Sequence, residues 1–410
     1  MNFTWFYSKK VAFSTYNKQN LSHFIIRIGQ MAVAIGIIIS LITVSVGLGT
    51  KKEIKAKLAN FNGHITVKSF DATDNYNSTS FNKNEINQNK ILQTENVNSI
   101  QYFASKSGII RTKTDFEGVI FKGLSDDFDK KRLQSYITEG KLPIINKDSL
   151  NFEVLLSNKI ANALHLKVGE SFLMYFLNDQ SQKPTYRKFK ISGLYTTNII
   201  DLDNSYIVGD IQQIQRLNKW NENQVSGAEI YLNDIEKLDE SFGNISKYIS
   251  LKLNAETAIK TFSNITDWLN LFDNNIYVIL ALMMIVVAIN MVMIFLILII
   301  EKTQTIGLLK VLGTSNTDII KIFIFQSLFI MIPGIILGNI IGLGFLFIQK
   351  YFNLIPLKPE NYYLDSVPVY LDFGFVFIIS GVSILISVIV LLLPSFIIAK
   401  ISPIKAIRFD

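Results

Sequence analysis

The chain contains no cysteine. Disulfides, thiolate metal sites and a lipid-anchored cysteine are therefore all excluded. Histidine is almost as scarce. His23, His64 and His165 are scattered, with no pair at ligand spacing, so each reads as a surface or locally satisfied side chain and no metal site is expected. Catalytic signatures are missing as well: there is no HExxH, no G-x-S-x-G, no GxxxxGK[ST], and no GxGxxG between a strand and a helix. The tetrapeptide SPIK, Ser402–Lys405, matches a bare S-x-x-K but lies beside a proline without partner residues. An enzyme reading has nothing positive to rest on.

Charge is absent from four windows: Ile28–Thr50, Asn274–Ile300, Ile322–Gln349 and Phe373–Ala399. Each is long enough to cross a bilayer, since a spanning helix needs about 20 mostly apolar residues. Between Lys51 and Asp273 no uncharged run is longer than Ile191–Ile200, so that region reads as water-soluble. The first apolar run starts too late and runs too long for a cleaved signal peptide and reads as a signal anchor. The expected order is an N-terminal segment 1–23, spans at 24–50, 274–300, 322–349 and 373–399, a large domain 51–273, a connector 301–321, a short loop 350–372 and a tail 400–410.

Lys and Arg minus Asp and Glu give +4 for residues 1–27, +1 for 301–321 and +2 for 400–410, against −1 for 350–372 and +1 for 51–273. The chain's excess of +7 therefore lies on one side of a four-span topology, which the positive-inside rule makes the cytoplasm. Both termini are expected inside and the large domain outside. Lys51, Lys52, Lys55 and Lys57 oppose this, but long domains translocate largely regardless of charge. The basic balance is thus a topology signal, and no nucleic-acid partner is expected.

The outward domain alternates strand-like and helix-like pieces. Stretches beginning at Gly63, Phe116, Phe152, Ser171, Tyr186 and Gly227 are rich in β-branched and aromatic residues. Asp126–Gly140, Ser157–Gly169 and Asp210–Trp220 carry apolar residues at helical spacing. The expectation is an α+β domain in two lobes. Asp71–Lys90, rich in Asn and Ser, reads as an exposed loop running into a polar helix. Leu177–Lys188 lies between two strands and carries Asp179, Ser181, Lys183 and Pro184, so it is expected to be a protruding hairpin loop.

The connector EKTQTIGLLKVLG, Glu301–Gly313, mixes apolar residues with the charged Glu301, Lys302 and Lys310. Ile306, Leu309 and Leu312 recur every three residues beside Leu308 and Val311, so a helix here is apolar on most of its circumference and needs cover from lipid or a partner. Gly313 provides a stop, and Ser315 with Asp318 caps the next helix. Asn290 and Asn339 are the polar candidates at mid-span, where amides commonly bond between helices.

The stretch IEKTQTIGLLKVLGTSNTDIIKIF resembles the segment after the second span of FtsX/MacB-type (type VII) ABC permeases, whose pattern is roughly EK..EI..L+ALG.....I...F. LANFNGHITVKS, LLSNKIANALHLKVGE and LPSFIIAKISPIKAIRFD resemble other segments of that family, and YYLDSVPVYLDF resembles the short outward loop of its lipoprotein-releasing LolC/LolE branch. The resemblance implies four transmembrane helices with a large periplasmic α+β domain between the first and second, in a bacterial inner membrane. It also implies a coupling helix that docks in a cleft of a separate ATPase. Glu301, Lys302, Ile306, Leu309, Lys310, Leu312 and Gly313 match, with Gly307 and Leu308 between them, while Thr305 stands where the family usually has Glu.

Carried over, Asn178–Arg187 takes the position of the hook that recruits a periplasmic carrier. Its residues are Asn178, Asp179, Lys183, Pro184, Tyr186 and Arg187, with Pro184 and Arg187 matching a P..R element. LolE-type subunits keep the domain without that role. The implied partners are a LolD-like ATPase that holds ATP and Mg, a second permease copy or paralogue, a LolA-like carrier, a lipoprotein substrate and membrane lipids. This chain itself is expected to bind no cofactor. Gly36, Ser40, Gly47 and Gly49 are expected to let helices approach closely beside a lipid cavity. Two alternatives stay open: a MacB-like exporter, and an FtsX-like transmitter that activates a periplasmic hydrolase.

Overall fold

The structure is a computed structural model that describes residues 21–70, 79–147, 149–178 and 181–400. Most of the N-terminal segment, the start of the Asn-rich loop at Asp71, the hairpin residue Asp179 and the tail with Ser402–Lys405 lie outside the described residues.

Four helices are long and apolar enough to cross a membrane among the described residues: Leu21–Asn62, Ser263–Glu301, Asn316–Phe352 and Phe373–Lys400. They are called the first to fourth spans. The first runs on past Thr50, and the second starts before Asn274. Charge ends an apolar run without ending a helix, and KKEIKAKLA from Lys51 consists almost entirely of good helix formers. The third begins at Asn316 because Ser315 caps it, its Oγ accepting from the Asp318 N–H at 3.1 Å. Outside the apolar stretches, Lys51 Nζ meets the Asp273 carboxylate at 2.5 Å.

Lys52–Asp267 and Leu357–Asp365 form one compact sheet-bearing unit. Its strands are β1 (Ile65–Ser69), β2 (Phe81–Asn82), β3 (Val97–Arg111), β4 (Phe116–Leu124), β5 (Ile137–Gly140), β6 (Glu153–Ser157), β7 (Ser171–Asn178), β8 (Ser181–Tyr195), β9 (Tyr206–Asp210), β10 (Gln224–Val225), β11 (Gly227–Leu232) and β12 (Leu253–Thr257). Ten of them make one sheet in the order β12-β1-β11-β3-β4-β9-β6-β8-β5, with β7 pairing both β3 and β8; β10 and β2 pair separately. Pairing therefore runs β3-β4-β9-β6-β8-β7 and returns to β3, closing a ring. Phe121, Phe172, Phe176 and Phe189 fill it, with the Phe121 and Phe189 rings 5.1 Å apart. Where the sequence led to an expectation of two lobes, these strands form one continuous sheet in one compact unit.

Other departures have identifiable causes. β3 has 15 residues yet was not legible as a strand, because its middle carries Gln101, Ser105 and Lys106, all buried. The helix expected over Asp126–Gly140 shrinks to Lys131–Gln134, since Ile137–Gly140 pairs with β8 instead. The Asp210–Trp220 reading becomes the helix Ile211–Asn218, capped by the Asp210 carboxylate, which accepts from Gln212 N–H at 2.9 Å.

His64, between the first span and β1, accepts the Leu232 N–H on Nδ1 at 3.1 Å and lies edge-on to Tyr231. Burial first, and the Arg132 guanidinium second, lower its pKa to about 4. Protonation would occupy the accepting nitrogen and break the bond. A folded pKa below the unfolded value near 6.5 means that the stabilisation is complete above pH 6.5 and is lost as pH falls toward 4. The loss is expected to reach roughly 3 kcal/mol. His64→Gln is expected to flatten the melting temperature between pH 7 and pH 4.5, as read by thermal unfolding.

Candidate functional site

The connector folds as the helix Thr303–Val311, set off from the second span at Lys302. Thr303 Oγ1 donates back to the Ile299 and Ile300 carbonyls, both at 2.9 Å. At the other end Gly313 takes φ +88°, and the N–H groups of Gly313 and Thr314 donate to the Lys310 and Leu309 carbonyls at 3.1 and 3.0 Å. That is a Schellman closure, which glycine permits because it has no Cβ. The chain is thus turned twice within a short distance.

The two faces of this helix differ. Ile306 and Leu309 are buried, 0% and 8% exposed, in the apolar cluster of the spans, and Gly307 is buried beside them. Leu308, Val311 and Leu312 are 55%, 60% and 72% exposed. With exposed Glu301 and Gln304 they form a stripe at helical spacing. This corrects the sequence reading, which put Ile306 and Leu309 among the partner contacts. Steps of three residues lag a 3.6-residue turn by about 60° each, so Leu312 cannot share a face with Ile306.

Lys310 is also redirected. Its Nζ donates to the Ile398 and Ala399 carbonyls at 2.7 and 3.3 Å, so it ties the connector to the last turn of the fourth span, and burial lowers its pKa. Cations are favoured at such carbonyl ends. Lys302 Nζ lies 2.9 Å from the Glu301 carboxylate. The exposed surface of the connector includes Glu301, Gln304, Leu308, Val311 and Leu312, with Gly313 exposed at its end.

The small residues of the first span pack within one chain. A Cβ on Gly36 or Gly47 would meet Val287 or Ile276 of the second span at 2.8 or 2.2 Å, and one on Gly49 would meet the Pro368 carbonyl at 2.8 Å. Ser40 Oγ donates to the Gly36 carbonyl at 2.8 Å. All four are buried, so they serve helix packing and do not line an open cavity. Close approach of two helix backbones is seen between the first and third spans. Gly334, Gly338 and Gly342 of the third span face Gln30, Ala34 and Ile38 of the first, and a Cβ on Gly338 would stand 2.7 Å from the Ala34 carbonyl. Their spacing of four in PGIILGNIIGLG was the signal that could have found them. Of the mid-span amides, Asn339 Nδ2 donates to Ser380 Oγ between spans at 2.9 Å, whereas Asn290 Nδ2 donates to Val286 of its own helix at 2.8 Å.

The expected hairpin loop is mostly strand. β7 and β8 pair from Ser171↔Lys190 out to Asn178↔Ser181, with a register shift after Phe176. Pro184 fits here because the irregularity frees it from the donor role it cannot fill. The side chains of Asn178 and Lys183 fall outside the described residues, as Asp179 does. Tyr186 is 62% exposed and its ring lies 6.0 Å from that of Tyr175, Pro184 is exposed, and Arg187 is half-buried. Ile109, Phe116, Tyr175 and Pro184 line a groove of about 640 Å³ at the base of this ribbon, with Arg111 and Lys113 at its rim.

The model of the MacB-like periplasmic core domain matches residues 31–263, and that of the FtsX-like permease C-terminal region matches residues 277–403. "Lipoprotein-releasing system transmembrane protein LolC" of Neisseria meningitidis serogroup B is 24% identical over 409 residues, covering 94% of each chain. "Lipoprotein-releasing system transmembrane protein LolE" of Haemophilus influenzae is 21% identical over 403 residues, again covering 94% of each. The match to the solved periplasmic region of MacB from Actinobacillus actinomycetemcomitans covers 49% of this chain and 91% of that one, at a TM-score of 0.32 and 11% identity.

Proposed function

Since the chain belongs to the FtsX/MacB family of ABC-transporter permeases, with a MacB-like periplasmic core domain followed by an FtsX-like C-terminal region, we propose that it extracts lipoproteins from the outer leaflet of a bacterial inner membrane. The observation that carries the motor part of this reading is the exposed apolar stripe of Leu308, Val311 and Leu312 on a helix held between two spans. Water would leave that surface uncovered at a cost, and an ATPase cleft would cover it. The ATPase subunit holds ATP and Mg, and the permease hydrolyses nothing. Two permease copies, or one with a paralogue, sit on two ATPase subunits, with termini and connector in the cytoplasm.

Closure of the motor dimer displaces the connector. Ile306 and Leu309 hand that displacement to the spans by packing, and Lys310 hands it to the fourth span through its hydrogen bonds. Acyl chains lie against the exposed apolar face of the second span at Tyr277, Leu282, Ile285 and Ile289, since the glycines of the first span are buried. Each buried methylene is worth about 0.8 kcal/mol, so a multi-chain anchor does not leave unaided and ATP is required. A periplasmic carrier then takes the anchor at the β7–β8 ribbon, where the groove beside Tyr175 and Pro184 offers it apolar contact.

Depletion of the protein followed by membrane fractionation tests this reading. Lipoproteins are expected to accumulate in the inner membrane. Normal lipoprotein sorting, with drug sensitivity or failed cleavage of the cell wall at division, would replace it with the exporter or the transmitter.

A further inference from the structure

The end of the first-span helix is built unlike an ordinary helix end. Lys122, on β4 and only 3% exposed, places its Nζ against the Phe61 carbonyl and donates to Asn62 Oδ1 at 3.1 Å. The same ammonium meets Glu229 Oε1 on β11 at 2.6 Å, and Glu229 Oε2 accepts from Tyr231 OH at 3.0 Å. The Phe61 and Phe103 rings lie 4.8 and 5.4 Å from the ammonium. Directly after the helix, Gly63 takes φ +72°, and a Cβ there would meet Glu229 Cβ at 2.9 Å. One buried cation therefore joins the helix C-terminus, where carbonyl dipoles favour positive charge, to two strands of the sheet.

A buried ion pair is weak evidence of added stability, because well-packed apolar residues commonly do as well. What it adds is direction: the pair satisfies its hydrogen bonds in one arrangement of helix and sheet only. Neighbouring side chains hold the same turns. Lys57 Nζ donates to the Thr197 and Tyr363 carbonyls at 3.1 and 3.2 Å, and Asn60 Nδ2 donates to Tyr136 OH at 3.1 Å.

We propose that Lys122 and Glu229 form a rigid joint that locks the C-terminus of the first-span helix to β4 and β11, so that this helix end and the sheet move as one body. Lys122 is a positioning residue in this scheme, which rests on the transporter reading above for its use but not for its geometry.

The absence of cysteine makes the test clean. Spin labels go on Ala56→Cys, on the helix, and Asp239→Cys, in the sheet-bearing unit, both exposed positions, in the full-length protein with its ATPase subunit. The joint predicts one narrow distance distribution that stays narrow through the nucleotide cycle. Lys122→Met/Glu229→Met, which keeps an apolar fill, is expected to widen the distribution at least twofold and to cut carrier-dependent lipoprotein release about tenfold, with ATP hydrolysis retained. Lys122→Arg is expected to stay narrow. An unchanged width in the double variant, or equal widening in Lys122→Arg, overturns the joint. Should the double variant not accumulate, hydrogen exchange of the unaltered protein decides: amides of residues 54–62 are expected to open together with β4 and β11, and their opening well before those strands overturns the proposal. If the unaltered protein releases no lipoprotein, the transporter reading fails while the distance measurement still judges the joint.

Discussion

Leu308→Asp/Leu312→Asp is expected to abolish recovery of the ATPase subunit with the permease while the permease itself still inserts and folds. Both side chains are more than half exposed, so the carboxylates cost little in the free chain. In the complex the same positions must be desolvated. Burial of a leucine is worth about 1.5–3 kcal/mol, so losing two of them lowers affinity about 100-fold or more. Leu309→Asp is expected to behave differently: its site is 8% exposed within the spans, and a carboxylate there lowers the amount of folded permease. Pull-down at matched permease levels checks both variants. Intact ATPase recovery with Leu308→Asp/Leu312→Asp would remove the proposed docking face.

Gly338→Leu is expected to disrupt the packing of the first and third spans. Even the first added carbon would stand 2.7 Å from the Ala34 carbonyl and 2.9 Å from Ile37 Cβ. The obstacle includes backbone, which cannot rotate aside, so the helices must separate. Overpacking of this kind costs roughly 1–3 kcal/mol where side chains yield, and the expected loss here is at the upper end of that range or beyond. Gly344→Ala is the control, since a Cβ there meets nothing within 4 Å and alanine favours the helix. Thermal unfolding in detergent is expected to show a lower transition for Gly338→Leu and none of that loss for Gly344→Ala.

Residue chemistry alone identified the membrane spans, because a charge-free run of bilayer length has few other uses. Ser315 and Gly313 were equally legible, as each acts within one turn of its own position. The connector was recognisable as a helix in need of cover, but which of its apolar residues pack on the spans was not. Ile306 and Leu309 are as apolar as Leu308 and Leu312, and composition does not say which pair the spans will claim. Lys310 could have faced a partner acceptor as readily as the fourth span, whose carbonyls approach it only after folding.

Local order in this chain, its four spans, the cap of the third and six of the twelve described strands, was determined by sequence because periodicity, charge and capping act over a few residues. The tertiary structure alone decided the closed ring of strands, the buried polar centre of β3, the outward face of the connector and the meeting of Lys122, Glu229 and Asn62. Lys122 and Glu229 stand 107 positions apart, and in isolation each is an ordinary charged residue in a strand. Only burial together against a helix end gives them a role, since the low-dielectric interior makes an unpaired charge costly and a fully satisfied one specific to a single arrangement.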